Sequence, residues 1–229
     1  DDDKNGYIDD YCGWDFINSD NSVYDGAEDA HGTHIAGIIA AGANSIGIRG
    51  IAKGVKIVPL KFMNDMAGYT SDLIEAIEYA KKLGIKIINC SFSDTHYNYA
   101  LEQAMKNSDI LFVCSAGNEK SNMPSYPSSY RLPNIISVGA VNNQGNMAPF
   151  SNYGQLVDVA APGVDIYSTL PENSYGFASG TSTAAPFVSG IAVLLLSYNP
   201  NLSARDLSTI IKNTVNTKFT SLHSYIATK

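Results

Sequence analysis

Apolar positions fall in short blocks set apart by polar, glycine-bearing stretches, and the blocks alternate in kind. Residues 55–62 (VKIVPLKF), 85–90 (IKIINC), 110–115 (ILFVCS), 134–141 (NIISVGAV) and 157–161 are near-continuous apolar runs of strand length. Between them, residues 71–83 carry Leu73, Ile74, Ile77 and Ala80 at a helical period, with Ser71 as the expected cap, and residues 97–107 read as another helix. Residues 203–214 predict a capped helix with Asp206 in its first turn. Residues 35–41 are small, apolar and helical in length. From 188 to 196 the chain is apolar on every side, which predicts a buried helix rather than an amphipathic one. Pro186 is expected in the opening turn of that helix, where its missing N–H costs least. Residues 11–30 are polar and turn-rich and read as loop.

Strands alternating with helices argue for βαβ units. Continuous apolar strands argue for a sheet covered on both sides. The expected fold is therefore α/β: a doubly wound, mainly parallel sheet with helices on both faces. No linker or repeat divides the chain, so residues 1–229 are expected to form one domain. Ligands in such sheets sit outside the carboxyl ends of strands. Ser91-Phe92-Ser93, Ser115-Ala116-Gly117-Asn118 and Ala161-Pro162-Gly163 leave those ends and are expected to line one crevice.

Hydrophobic residues make up 45% of the 229, enough for a sizeable core, and the net charge of -7 argues against a nucleic-acid partner. Acidic groups crowd the start, at Asp1, Asp2, Asp3, Asp9 and Asp10. Oxygen-bearing side chains alternate at Asp1, Asp3 and Asn5, and Gly6 follows where a calcium loop turns. Tyr7 offers a carbonyl, and Asp9 or Asp10 closes the shell. Cys12 stands where an EF-hand-type loop has its glutamate. The expected ligand is Ca2+ on Asp1, Asp3, Asn5, Tyr7 and Asp10; a solvated acidic terminus is the plainer alternative. Three cysteines make no disulfide framework, and Cys90 and Cys114 read as core residues. The most apolar run, 191–196, is far below the ~20 residues of a membrane span. No signal-peptide pattern occurs, so the chain is either cytoplasmic or already processed.

Ser182 follows a glycine turn and opens a helix, where a developing negative charge is stabilised. By itself it reads first as an N-cap, and other stretches of the chain reverse that order. Acyl transfer also needs a base and an oxyanion donor. His31 follows a loop and opens a helix, and Asn118 in AGNE stands just past a buried strand. His34, His96 and His223 are weaker candidates for the base. A zinc site on His31 and His34 lacks an HExxH pattern or a cysteine partner.

HGTHIAG, INCSFSD, VCSAGNE and GTSTAAP, in this order, resemble the subtilisin-like serine proteases, over a span from about Asp1 to about Tyr225. The resemblance implies an acyl-enzyme on Ser182, with His31 as general base and Asn118 as oxyanion donor. It implies that Ser91, Phe92, Ser93, Ser115, Ala116 and Gly117 wall the pocket before the scissile bond. Ala67, Gly68 and Tyr69 would be an edge that pairs with extended substrate. ANSIGIRG resembles the family's calcium loop, with the Asn44 side chain and the carbonyls of Gly42, Ile46 and Ile48 as ligands. Peptide or protein substrates, a propeptide inhibitor and an extracytoplasmic home are the expected context. There are departures. The family's D-[ST]-G aspartate motif is absent, and Asp29, two residues from His31, has the wrong geometry to orient an imidazole from behind. The tail TSLHSYIATK stops early. The chain is therefore expected to be a piece of a longer protein, and a catalytically silent binding or scaffold domain is the rival expectation. Thr183 and Phe187 stand where methionine and histidine are usual. Ser93 replaces a glycine and narrows the pocket, and Phe92 suggests an apolar groove.

Overall fold

The computed structural model describes residues 4–64 and 67–215. In chain order the elements are β1 (Trp14–Asp15), α1 (Ala30–Ala40), β2 (Leu60–Lys61), β3 (Met63–Asn64), β4 (Ala67–Gly68), α2 (Thr70–Lys82), β5 (Ile87–Cys90), α3 (Tyr99–Lys106), β6 (Leu111–Ser115), β7 (Ile135–Val141), β8 (Val159–Pro162), β9 (Ile166–Leu170), β10 (Ser174–Ala178), α4 (Thr181–Tyr198) and α5 (Ala204–Thr214).

β5-β6-β7-β8 form a parallel sheet, with Cys90 opposite Cys114 and Val138 opposite Val159. Side chains alternate across a strand, and β6 shows what that does here. Leu111 and Val113 join Ala184, Ala185 and Val188 of α4 and Leu207 and Ile211 of α5. Phe112 and Cys114 face the other way, onto Leu73 and Ile77 of α2 and Leu101 and Met105 of α3. Helices cover both faces, so every residue of β6 and β7 is buried. β1 pairs with β2 in a separate parallel pair, while β9 and β10 form an antiparallel hairpin. A third core cluster, around Tyr7, Trp14, Phe16 and Tyr79, seats β1 against α2.

Several elements differ from expectation. Within 55–62 only Leu60–Lys61 is strand. Pro59 has no N–H to donate, and its carbonyl accepts from Trp14, which draws β1 out of a stretch that reads as loop. α2 starts at Thr70, and Ser71 does not cap it: the Ser71 hydroxyl donates to Asp72. Asn98 caps α3 through the Leu101 N–H, and Ser203 and Asp206 form a capping box on α5. The 166–178 hairpin was not expected; its three-residue loop, Pro171 to Asn173, uses left-handed Glu172 and Asn173. α4 is buried only along its first half; beyond that, Ile191, Leu194 and Tyr198 are exposed. α4 is long and apolar enough to cross a membrane, yet half of it is buried in this fold. Pro186 lies five residues past the first residue of α4, in the helix interior rather than in the opening turn.

Candidate active site

The first turn of α4 is capped from a distant part of the chain. Gly180 has no side chain to cap with, and Asn118, in the loop after β6, takes that role. Its Oδ1 accepts from the Thr181 N–H at 2.8 Å and from the Thr181 hydroxyl at 3.0 Å. The Gly117 N–H donates in turn to Thr181 Oγ1 at 3.1 Å. Gly117 has φ +103, and a Cβ there would come within 2.3 Å of Asn152 Nδ2. Asn152 clamps the loop: its Nδ2 donates to the Ala116 carbonyl, and its Oδ1 accepts from the Glu119 and Ser121 N–H groups. With its oxygen held by Thr181, the Asn118 amide has its N–H₂ turned to the other side. A Cβ at Gly180 would lie 2.9 Å from Ser182 Oγ and 3.6 Å from Asn118 Nδ2. The hydroxyl and the amide thus flank one small space that a glycine leaves open.

His31 lies in the first turn of α1. Four hydrogen bonds bring that turn to the same end of the molecule. His34, one turn on, has Nε2 at 3.1 Å from the Ile166 carbonyl and 3.3 Å from that of Gly176. The Ser168 hydroxyl donates to the His34 carbonyl, and Thr169 to that of Thr33. The same hairpin is tied to the start of α4, because Gly180 N–H donates to Gly163 and Asp165 N–H to Ser179 Oγ. The first turns of α1 and α4 therefore share a neighbour. Desolvation, and then the neighbouring His34, lower the His31 pKa below the ordinary imidazole value, which favours the neutral ring. Among the described residues no side chain hydrogen-bonds to the His31 ring. His34 Nδ1 is buried and also lacks a partner.

Asp29, the N-cap residue of α1, does not face His31. Its Oδ2 accepts from Lys61 Nζ at 2.9 Å and from the Asp25 N–H. Lys61 also pairs with Asp25, and with Asp15 at 3.2 Å. Burial lowers the Lys61 pKa, but hydrogen bonds to Asp25, Asp29 and Asp15 outweigh it and hold the ammonium well above the usual lysine range.

The segments leaving β5 and β6 lie side by side, since the Ser115 hydroxyl donates to the Phe92 carbonyl at 3.1 Å. Ser91 is half-buried, Ser93 is exposed, and Ser115, Ala116 and Gly117 are buried. Phe92 does not form an open groove; its ring packs edge-on against Phe62, centroids 4.7 Å apart, and against the α2–α3 side of the core. Ala67 and Gly68 are exposed and pair antiparallel with Met63 and Asn64, with Tyr69 exposed beside them.

Of the N-terminal calcium donors, Asp1 and Asp3 lie outside the described residues. Asn5 Oδ1 accepts from the Tyr7 N–H, and Asp10 Oδ2 accepts from Asn5 Nδ2 and the Tyr79 hydroxyl. Burial raises the Asp10 pKa, but those two side-chain hydrogen bonds lead the effects that bring it below the usual value. This is an all-oxygen donor set, which suits a hard cation. The second loop fits less well. Its Asn44 Oδ1 accepts from the Ile46 N–H, and Gly42, Ile46 and Ile48 would add only carbonyls. Calcium takes about six to eight oxygens, usually with carboxylates. Among the described residues no group of three or more His, Cys, Asp or Glu side chains is placed to hold a metal.

Sequence reasoning passed over Thr181, Asn152 and Lys61. The only signal for Asn152 is a polar residue held 6% exposed, and that is visible only once the chain has folded.

A sequence model of the Subtilase family matches residues 1–226. The chain belongs to that family. The subtilase from Bacillus sp. (strain AK1) called thermophilic serine proteinase is 42% identical over 194 residues, which are 82% of this chain and 47% of that protein. Thermitase of Thermoactinomyces vulgaris is 40% identical over 207 residues, covering 88% of this chain and 72% of thermitase. Among solved structures, a cold-adapted subtilisin-like serine proteinase superposes with a TM-score of 0.78 at 29% identity, over 88% of this chain and 72% of that one. The α/β subtilase fold follows from these matches, and with it membership of a family of serine endopeptidases. The chain spans about half the length of the first of these relatives.

Proposed function

We propose that this subtilase chain carries the hydrolytic site of a serine endopeptidase, built on Ser182, His31 and Asn118. Ser182 Oγ attacks the scissile carbonyl, and neutral His31 takes its proton and later returns it to the leaving amine. The carbonyl oxygen, negative in the tetrahedral intermediate, accepts from Asn118 Nδ2. The supporting observation is the shared space above Gly180, flanked by the Ser182 hydroxyl and by an amide whose oxygen is already held by Thr181. Ser91, Ser93 and Ser115 to Gly117 wall the adjoining pocket, and the exposed Ala67-Gly68-Tyr69 edge receives extended peptide.

A fluorophosphonate probe on the full-length protein should label Ser182. Asn118→Ala should then lower kcat by roughly 10²–10³ while the KM for peptide stays within a few-fold. Labelling at another residue would remove the assignment.

One observation favours the rival, a silent peptide-binding domain: no carboxylate among the described residues meets the His31 ring. Loss of such a carboxylate costs on the order of 10⁴ in kcat in this chemistry. Tight peptide binding with no turnover in the full-length protein would establish the rival. Calcium at the 1–10 loop, held by Asp1, Asp3, Asn5, Tyr7 and Asp10, belongs to the same proposal. It rests on the oxygen-only donors and the acidic spacing, and would appear as a fall in Tm on chelation. An extracytoplasmic location and a propeptide inhibitor are carried by family membership alone.

A further inference from the structure

Pro186 interrupts α4 at a chemically consequential place. In an α-helix the N–H of residue i bonds the carbonyl of residue i−4. The partner of position 186 is the carbonyl of Ser182. Proline supplies no N–H, and its ring crowds that same carbonyl. Pro186 is itself buried in the fold.

The missing donor comes from another element. The Ser91 hydroxyl, just past β5, donates to the Ser182 carbonyl at 2.7 Å. Ser91 Oγ in turn accepts from Asn89 Nδ2 at 2.8 Å, and Asn89 Oδ1 accepts from the Ser189 hydroxyl at 2.9 Å. Every bond runs in one direction, so the Ser91 proton is committed to Ser182. Ser189 and Ser182 both lie on α4, so the relay leaves the helix on one side of the proline and rejoins it on the other.

We infer that Ser91 is a positioning residue for the nucleophile: its hydroxyl replaces the N–H that Pro186 lacks and fixes the Ser182 peptide, hence the direction of the Ser182 side chain. This rests on Ser182 being the nucleophile. It is separate from any contact between Ser91 and substrate.

The experiment is a double-mutant cycle on the full-length protein, read as kcat and KM on a peptide ester. Labelling of wild-type Ser182 by a fluorophosphonate is measured first. Ser91→Ala should lower kcat by roughly ten- to a hundredfold, the scale of a small misplacement of a reacting group, with KM little changed. Ser91→Thr keeps the hydroxyl and should restore most of the rate. Pro186→Ala returns an N–H to the Ser182 carbonyl, so adding it to Ser91→Ala should recover most of the loss. If Ser91→Ala fails to fold, the double variant should fold, because the donor is back. Four outcomes overturn the inference: losses that multiply in the double variant, a Ser91→Thr as poor as Ser91→Ala, an effect confined to KM, or a double variant that fails to fold. An unlabelled wild-type Ser182 overturns the nucleophile as well, which separates the two failures.

Discussion

Replacing Lys61 by methionine tests the buried charge cluster at the start of α1. Methionine keeps the apolar stem and deletes the ammonium. The Asp15 side chain is 0% exposed and that of Lys61 7%, so water screens neither. After the substitution Asp15 still accepts from the Ile17 N–H at 2.7 Å and from the Asn18 N–H and Nδ2, each at 3.1 Å. Those donors satisfy its oxygens, but no cation offsets the charges of Asp15, Asp25 and Asp29. Breaking a buried pair from one side costs ~3–5 kcal/mol, and the surviving donors put this case near the lower end, about 3 kcal/mol. For a chain of this length, that is a fall in Tm of roughly 6–12 °C. Urea unfolding followed by the fluorescence of Trp14, the single tryptophan and the neighbour of Asp15, is the direct assay. The pH dependence has a definite sign. The Lys61 hydrogen bond, and then that from Ser22, hold the Asp25 carboxyl below its usual pKa. A carboxylate lowered in the folded state contributes stability above its unfolded pKa and loses it as pH falls through the folded value. The gap between wild type and Lys61→Met should therefore be full above about pH 4 and close on further acidification. A gap under ~1 kcal/mol at neutral pH, or one indifferent to acid, would refute the reasoning.

Three further outcomes are expected. The acid limb of kcat/KM should titrate below the ordinary histidine value of about 6.5, because His31 is the base only when neutral and its pKa is lowered; a limb at or above that value would count against His31. Gly180→Ala should cut kcat/KM by roughly a hundredfold with little change in Tm. The backbone there is extended, at φ 165, and the new methyl would sit 2.9 Å from Ser182 Oγ, so the damage is steric and local. Ser203→Ala removes the capping box of α5 and should cost about 1 kcal/mol by urea unfolding, with no change in kcat.

The parts of the fold that can be read from the chain are those decided locally or by burial on both faces. β6 and β7 are legible because neither face meets water, so their apolar runs are unbroken. α5 is legible because Ser203 and Asp206 are three residues apart and cap each other. The misplacement of Pro186 has the opposite cause: α4 begins at Thr181 because Asn118, 63 residues away in sequence, satisfies its first N–H. No local pattern reports such a partner. The β9–β10 hairpin was missed because Tyr167 and Phe177 stay exposed, so burial imposes no clean apolar alternation on its two arms. The Lys61 cluster is invisible in the same way, its carboxylates at 15, 25 and 29 being ordinary loop residues until β2 carries an ammonium into their midst. Chemistry-bearing motifs are legible when neighbours in sequence act together, as in HGTH. The relay through Asn89, Ser91 and Ser189 is not, because it exists only across the sheet.

The separation of β1-β2 from β5-β6-β7-β8 has a consequence for how long such a molecule survives its own kind. Among the described residues β2 and β5 share no ladder, and the border between them is held by rings and aliphatic groups such as Phe62 on Phe92. Contacts of that sort part with less cooperativity than paired strands, so partial opening starts along this border while the central strands stay shut. If the proposed site is active, the irregular 53–59 run that leads into β2 is then the first place open to autolysis in a concentrated solution.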